Sequence, residues 1–179
     1  MKKEFEKRIL SSLIIIPISL FFIVQGSVYL LFFLSILFLL TCYEWIKMCK
    51  KFYFIKFLGI TFLFFSFYFA FFLRENIGLF NFLFVILICI STDIGGYIFG
   101  KTFKGPKLTK ISPNKTYAGV VGSFICSLII GIIFLNNFPV SLSTNTQLFY
   151  LLLILSISLI SQIGDLIISY FKRLVKVKD

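Results

Sequence analysis

The sequence predicts an all-α, polytopic membrane protein of six transmembrane helices, with both termini in the cytoplasm. Three observations predict it. Hydrophobic residues make up 59% of the 179-residue chain and charged residues 14%, with a mean hydropathy of +1.03; soluble domains average about 45–50% apolar and about 25% charged. A globule of this size exposes too much surface to hide that much apolar material, so lipid must cover it. Six apolar runs, 9–25, 27–43, 57–73, 77–99, 118–135 and 147–171, approach the length of about 20 residues that spans a bilayer. The basic residues then segregate to one side of the threaded chain.

The first run follows Lys2, Lys3, Lys7 and Arg8 and contains Pro17, which is expected to kink it. Its basic start resembles a signal peptide, but no small-residue cleavage site follows and more spans come after, so it is read as a span. The Gly26 region alone separates it from the second run, and Arg74, Glu75 and Asn76 separate the third from the fourth. Both connections read as tight helical hairpins. Lys47, Lys50, Lys51 and Lys56 lie between the second and third runs. Lys101, Lys104, Lys107, Lys110 and Lys115 lie between the fourth and fifth, and Lys172, Arg173, Lys176 and Lys178 follow the sixth. Six spans put every basic residue except Arg74 on one face. The uncharged 136–146 loop falls on the side of Arg74. The net charge of +11 therefore reads as a topology signal and as contact with lipid headgroups, not as a nucleic-acid surface. Cys42, Cys49, Cys89 and Cys126 show no metal-ligand spacing, and neither disulfides nor metal ligation by them is expected.

Function concentrates in the second half. Residues 1–89, three spans and the start of a fourth, read as scaffold; 90–179 reads as the catalytic-type region. Of seven acids, only Asp93 and Asp165 lie inside apolar segments. An acid in a span costs roughly 2.5–3.5 kcal/mol to insert, and such residues are usually paired or functional. Each stands on the cytoplasmic half of its helix, so the two are expected to approach each other. Carboxylates at one depth repel unless a proton or a cation lies between them. A lysine could supply that cation, and so could Mg²⁺, which joins a few carboxylates to substrate phosphates. On helical spacing Asp165, Ser169, Lys172 and Lys176 form one stripe, with Arg173 beside it. Gly95, Gly96 and Gly100 let another backbone or a ligand come close. Pro106 and Pro113 restrain the five-lysine loop, and Ser112 or Asn114 is expected to cap the next helix.

Several chemistries are excluded. The chain has no histidine, which removes a histidine base, a Ser-His triad and a zinc-histidine site. No GxxxxGK[ST] loop occurs. Metal-assisted electrostatic catalysis on phosphates remains.

The tail Ser169-Tyr170-Phe171-Lys172-Arg173, followed after four residues by Lys178-Asp179, resembles the signature S-x-apolar-K-R-x4-K-D of phosphatidate cytidylyltransferases (CDP-diacylglycerol synthases). Gly164-Asp165-Leu166 is similar to that family's GDL. Ser91 to Tyr97, Lys107-Leu108, Ile111-Ser112-Pro113 and Lys115-Thr116 are similar to its SDTGAY…KL…ISPKKT segment. Ile168, Asn114 and Ala118 depart from the pattern, standing where the family has Glu, Lys and a polar residue. The resemblance implies that CTP and phosphatidate give CDP-diacylglycerol and pyrophosphate with Mg²⁺ as cofactor. It implies that Asp93 and Asp165 help hold the metal, that Lys172 and Arg173 neutralise phosphate charge, and that Ser169 donates a hydrogen bond. Lys107, Lys115 and Thr116 would position CTP or the lipid headgroup, with Ser112 and Lys178 as further substrate-binding positions.

The family continues past this point through an HGG element to a DRxD pair. The expectation is therefore of a C-terminally truncated member whose metal site is short of carboxylates and which turns over little. The partners implied are CTP, phosphatidate, membrane lipids and a second copy in a homodimer, and the location is a bacterial inner membrane with the active side cytoplasmic. Three other readings stay open: a CTP-dependent lipid kinase, a small ion-coupled transporter, and an inactive remnant. CDP-alcohol phosphotransferases need D-G-x-x-A-R, which is absent.

Overall fold

The computed structural model describes residues 2–49, 53–103, 105–108, 115–137 and 144–174. Among them the chain is all-α: α1 (Lys2–Gln25), α2 (Ser27–Met48), α3 (Tyr53–Phe72), a single π-helical turn (Leu73–Ile77), α4 (Leu79–Phe103), α5 (Tyr117–Asn137) and α6 (Thr144–Leu174). Every helix but α5 outruns its apolar stretch by several residues at one or both ends. Hydropathy marks the part that lipid covers, whereas the backbone hydrogen-bond ladder continues through polar ends such as Glu44–Met48 and Lys101–Phe103. The helix α1 is continuous through Pro17.

Six helices form, as the apolar runs predict, and α2 to α6 are long and apolar enough to cross a membrane. In α1 the apolar part whose side chains are described is Ser12–Gln25.

The chain divides into two compact units, Met1–Phe82 and Leu83–Asp179, with the boundary inside α4. In the first unit aromatic rings join the helices. Phe22 of α1 stacks on Phe33 of α2 at 5.0 Å, and Phe38 of α2 meets Phe64 and Phe67 of α3 edge-on at 6.3 and 5.8 Å. Trp45 of α2 lies flat against Gly59, where any Cβ would collide with the indole.

The α1–α2 hairpin turns on one residue. Gly26 adopts φ 67°, a conformation that favours glycine, and a Cβ there would displace the tips of Glu75 and Arg74. The next residue, Ser27, is also left-handed at φ 46°, a conformation that costs a non-glycine residue about 1 kcal/mol or more. The π turn supplies what holds it. Glu75 accepts from the Ser27 amide at 2.7 Å and from its hydroxyl at 3.3 Å. Arg74 donates to the carbonyls of Ile23 and Val24 at 2.7 and 2.8 Å, satisfying the open end of α1. Arg74 is therefore not an isolated loop charge. It stands 3.9 Å from Glu75, and the wider i→i−5 turn, closed by the Gly78 amide on Leu73, presents both side chains to the hairpin.

In the second unit α4 meets α5 through small residues. A Cβ on Gly95 would lie 2.6 Å from the Gly122 carbonyl, and one on Gly96 would lie 2.8 Å from Ser123 Oγ. Backbones this close are the usual way for helices to associate in lipid. Gly131 of α5 admits the Ile154 side chain of α6 and the tip of Ile88 from α4. Phe84, 2% exposed, packs against Phe134 and Tyr150.

Two substitutions test these contacts. Glu75→Ala removes a charged acceptor from a left-handed residue and is expected to cost about 1.5–3 kcal/mol in reversible unfolding in mixed micelles followed by circular dichroism. Gly95→Val pushes a side chain into the Gly122 carbonyl and is expected to lower the unfolding midpoint more than Gly164→Val, whose Cβ position is open.

Candidate active site

The site begins with hydroxyls that have no water to bond. Thr92, Ser123 and Ser158 are buried, one on each of α4, α5 and α6. A polar group buried in apolar surroundings needs a partner, and these partner each other. Thr92 Oγ1 lies 2.8 Å from the Ile88 carbonyl and 3.0 Å from Ser158 Oγ. The Ser123 hydroxyl donates to the Thr92 carbonyl at 2.7 Å. Gln162 Nε2 donates to Ser158 Oγ at 3.4 Å. The chain of contacts fixes the rotation of α4 and α6 about their axes, and that decides where the next residue along α4, Asp93, is placed.

Toward the C-terminal ends of α4 and α6 a cavity of about 540 Å³ opens. From α4 it is lined by Thr92, Asp93, Gly96 and Tyr97; from α6, by Leu159, Gln162, Ile163, Asp165 and Leu166. Lys115 and Thr116 enter it just before α5, whose Val120 and Phe124 make an apolar wall. Asp93 and Asp165 therefore face one space, as their parallel positions predict. Each stands about ten residues before the end of its helix, roughly 15 Å of rise. Lys115 Nζ is 3.1 Å from Asp165 Oδ2, with the side chains 28% and 58% exposed.

The loop that delivers Lys115 is tied at its two ends. Lys107 and Thr116 form an isolated antiparallel bridge. The Leu108 amide donates to the Lys115 carbonyl at 2.8 Å, and the Tyr117 amide donates to the Pro106 carbonyl at 3.1 Å. Thr116 Oγ1 accepts from the Gly119 amide at 3.1 Å, so Thr116 caps α5. The sequence assigned that cap to Ser112 or Asn114; the helix begins only at Tyr117, which makes the preceding threonine its cap.

The remaining sequence-derived positions are placed as follows. Lys107 is exposed at the bridge, outside the cavity lining. Lys172 and Arg173 are exposed in the last turn of α6, about two turns above Asp165. Ser169 donates its hydroxyl to the Asp165 carbonyl at 2.7 Å. Ser112 and Lys178 lie outside the described residues. Gly95 and Gly96 admit α5, the helix option of the two that their sequence left open, and Gly96 also lines the cavity. Sequence reasoning missed Thr92, Ser123, Ser158 and Gln162. The available signal was a polar residue on each of three apolar helices near the depth of the acids.

Among the described residues no three His, Cys, Asp or Glu side chains cluster in metal-binding geometry. The donor set is two carboxylates facing one cavity. That set fits Mg²⁺, which is commonly bound by one or two carboxylates, waters and substrate phosphates in place of an all-protein cage.

Comparison with known proteins bears on what the cavity works on. The model of the cytidylyltransferase family matches residues 49–179. A phosphatidate cytidylyltransferase of Staphylococcus haemolyticus is 40% identical over 126 residues, 70% of this chain and 45% of that protein. One from Staphylococcus saprophyticus is 43% identical over 104 residues, 57% of this chain and 38% of that protein. One from Rickettsia conorii is 40% identical over 103 residues, 54% and 45% respectively. The chain thus spans less than half the length of the curated relatives it matches. No solved structure matches.

The hydroxyl contact is testable alone. In a double-mutant cycle of Thr92→Val and Ser158→Ala, read by unfolding in micelles, the expected coupling is about 0.6 kcal/mol and at most about 1.7 kcal/mol, the range for such pairs in membrane proteins.

Proposed function

This chain belongs to the cytidylyltransferase family, and from that premise we propose that its α4–α6 cavity serves phosphatidate cytidylyl transfer. In that reaction CTP and phosphatidate give CDP-diacylglycerol and pyrophosphate. The observation that carries the reading is the pair Asp93 and Asp165 facing one cavity among apolar helices, with the Lys115 ammonium on one of them. The staphylococcal and rickettsial relatives, phosphatidate cytidylyltransferases, support the same chemistry.

The residues act as follows in this reading. A phosphatidate phosphate oxygen attacks the α-phosphorus of CTP, and pyrophosphate leaves. Asp93 and Asp165 would hold Mg²⁺, which would supply charge neutralisation and alignment of the phosphates. Lys115 meets phosphate at the cavity, Thr116 fixes the start of α5 beside it, and Lys107 holds the loop closed. Lys172 and Arg173 stand where phosphate charge emerges from the cavity and neutralise it there. Ser112, Ser169 and Lys178 are proposed as further substrate contacts. The apolar wall of Val120, Phe124, Leu159 and Ile163 suits the glycerol and acyl part of a lipid and excludes water from the reacting phosphates.

The basic flanks of the helices support a cytoplasmic active side, where CTP is dissolved and the lipid head arrives laterally. Bacterial relatives support a plasma-membrane location.

The test is label transfer from CTP into extractable lipid in membranes containing the chain, by itself and joined to the remaining segment of a staphylococcal relative. Cytidine label is expected in the lipid and γ-phosphate label in the aqueous pyrophosphate. Entry of γ-phosphate into lipid would instead identify a kinase. Asp93→Asn and Asp165→Asn are each expected to reduce transfer by 100-fold or more, in line with roughly 3 kcal/mol of lost transition-state stabilisation; undiminished rates in either would remove the carboxylate pair from the mechanism.

A further inference from the structure

We propose that Lys115 is the resident counter-ion of the Asp93–Asp165 pair and must release Asp165 before a divalent cation can bind there. The inference rests on the metal role proposed above for the two acids and adds a competitor to it.

Three observations carry it. Two carboxylates on separate helices face one cavity, and like charges so placed need a cation to remain ionised together. Among the described lining residues, Lys115 is the one cationic side chain. Its ammonium is already 3.1 Å from Asp165 Oδ2, an oxygen that a bound metal would draw on. Asp93, by contrast, forms no ion pair among the described residues.

The construction around Lys115 suits exchange. Its backbone is pinned on both sides, by the Leu108 amide on its own carbonyl and by the bridge of Thr116 with Lys107. The four-carbon side chain beyond that anchor is free to swing, and its charge is a point charge that needs no fixed fork geometry. Asp165 is more than half exposed, so the pair is weakened by solvent and costs little to break. Once displaced, the ammonium still hangs in the same cavity, positioned for the phosphate that would accompany the metal. Lys115 thus would compete for Asp165 when no metal is bound and become a phosphate contact when one is. It is a positioning residue in the first state and touches substrate only in the second.

The experiment uses Mn²⁺ alone, titrated against the purified 179-residue chain in detergent at fixed pH and ionic strength, with bound ion read by electron paramagnetic resonance. Lys115→Met is expected to bind Mn²⁺ roughly tenfold more tightly than the unaltered chain, since a unit charge a few ångströms away is removed. Lys115→Arg, which keeps the charge, is expected to bind like the unaltered chain. Adding Asp165→Asn to Lys115→Met is expected to abolish the gain. Misfolding does not produce tighter binding, so the gain itself reports an intact site. If the unaltered chain binds Mn²⁺ and Lys115→Met binds it no more tightly, Lys115 is not the competitor, and the metal role of the acids stands without it. If none of the variants binds Mn²⁺, the metal role fails and this inference fails with it.

Discussion

Hydrocarbon offers no hydrogen-bond partner, and the arrangement of this chain follows from how its few polar groups find partners without water. Helix formation disposes of the backbone except at the ends and at turns. There the π turn after α3 lends Arg74 to the open carbonyls of α1 and Glu75 to the first amide of α2. Inside the second unit three helices each bring one hydroxyl to a common point, and Thr92, Ser123 and Ser158 satisfy one another. A contact made because it has no alternative also fixes geometry. The rotation that joins Thr92 to Ser158 brings Asp93 to the cavity that Asp165 lines.

Much of this was legible in the chain as written. Composition and run length gave the helical membrane class, because burying apolar side chains in lipid needs nothing but their number. The facing of Asp93 and Asp165 followed from two acids at matching distances before a basic flank. What stayed hidden depends on partners far away along the chain. Nothing local to Arg74 announces the carbonyls of Ile23 and Val24, and nothing near Gln162 announces the hydroxyl cluster it joins through Ser158. Helix ends lie beyond most of the apolar runs because hydropathy stops at the lipid boundary, whereas helical hydrogen bonding does not.

The glycines show how one residue type serves different ends. Gly26 is needed for its left-handed turn. Gly95 and Gly96 have ordinary helical backbones and are needed for nearness to α5. Gly96 does both structural and site duty, since the space its missing side chain leaves is part of the cavity wall. A site made partly of absent atoms explains the two glycines that follow Asp93 and Ile94: a side chain there would push α5, and with it Lys115, away from Asp93.

The single tryptophan of the chain has a consequence of its own. Trp45 rests on Gly59 between α2 and α3, its indole nitrogen 3.4 Å from the Ile55 carbonyl, wholly within the first unit. Its fluorescence is therefore a built-in optical reporter for one half of the molecule. A change in emission without loss of ellipticity marks separation of those two helices, and the second unit is left free of tryptophan for a probe of the experimenter's choosing.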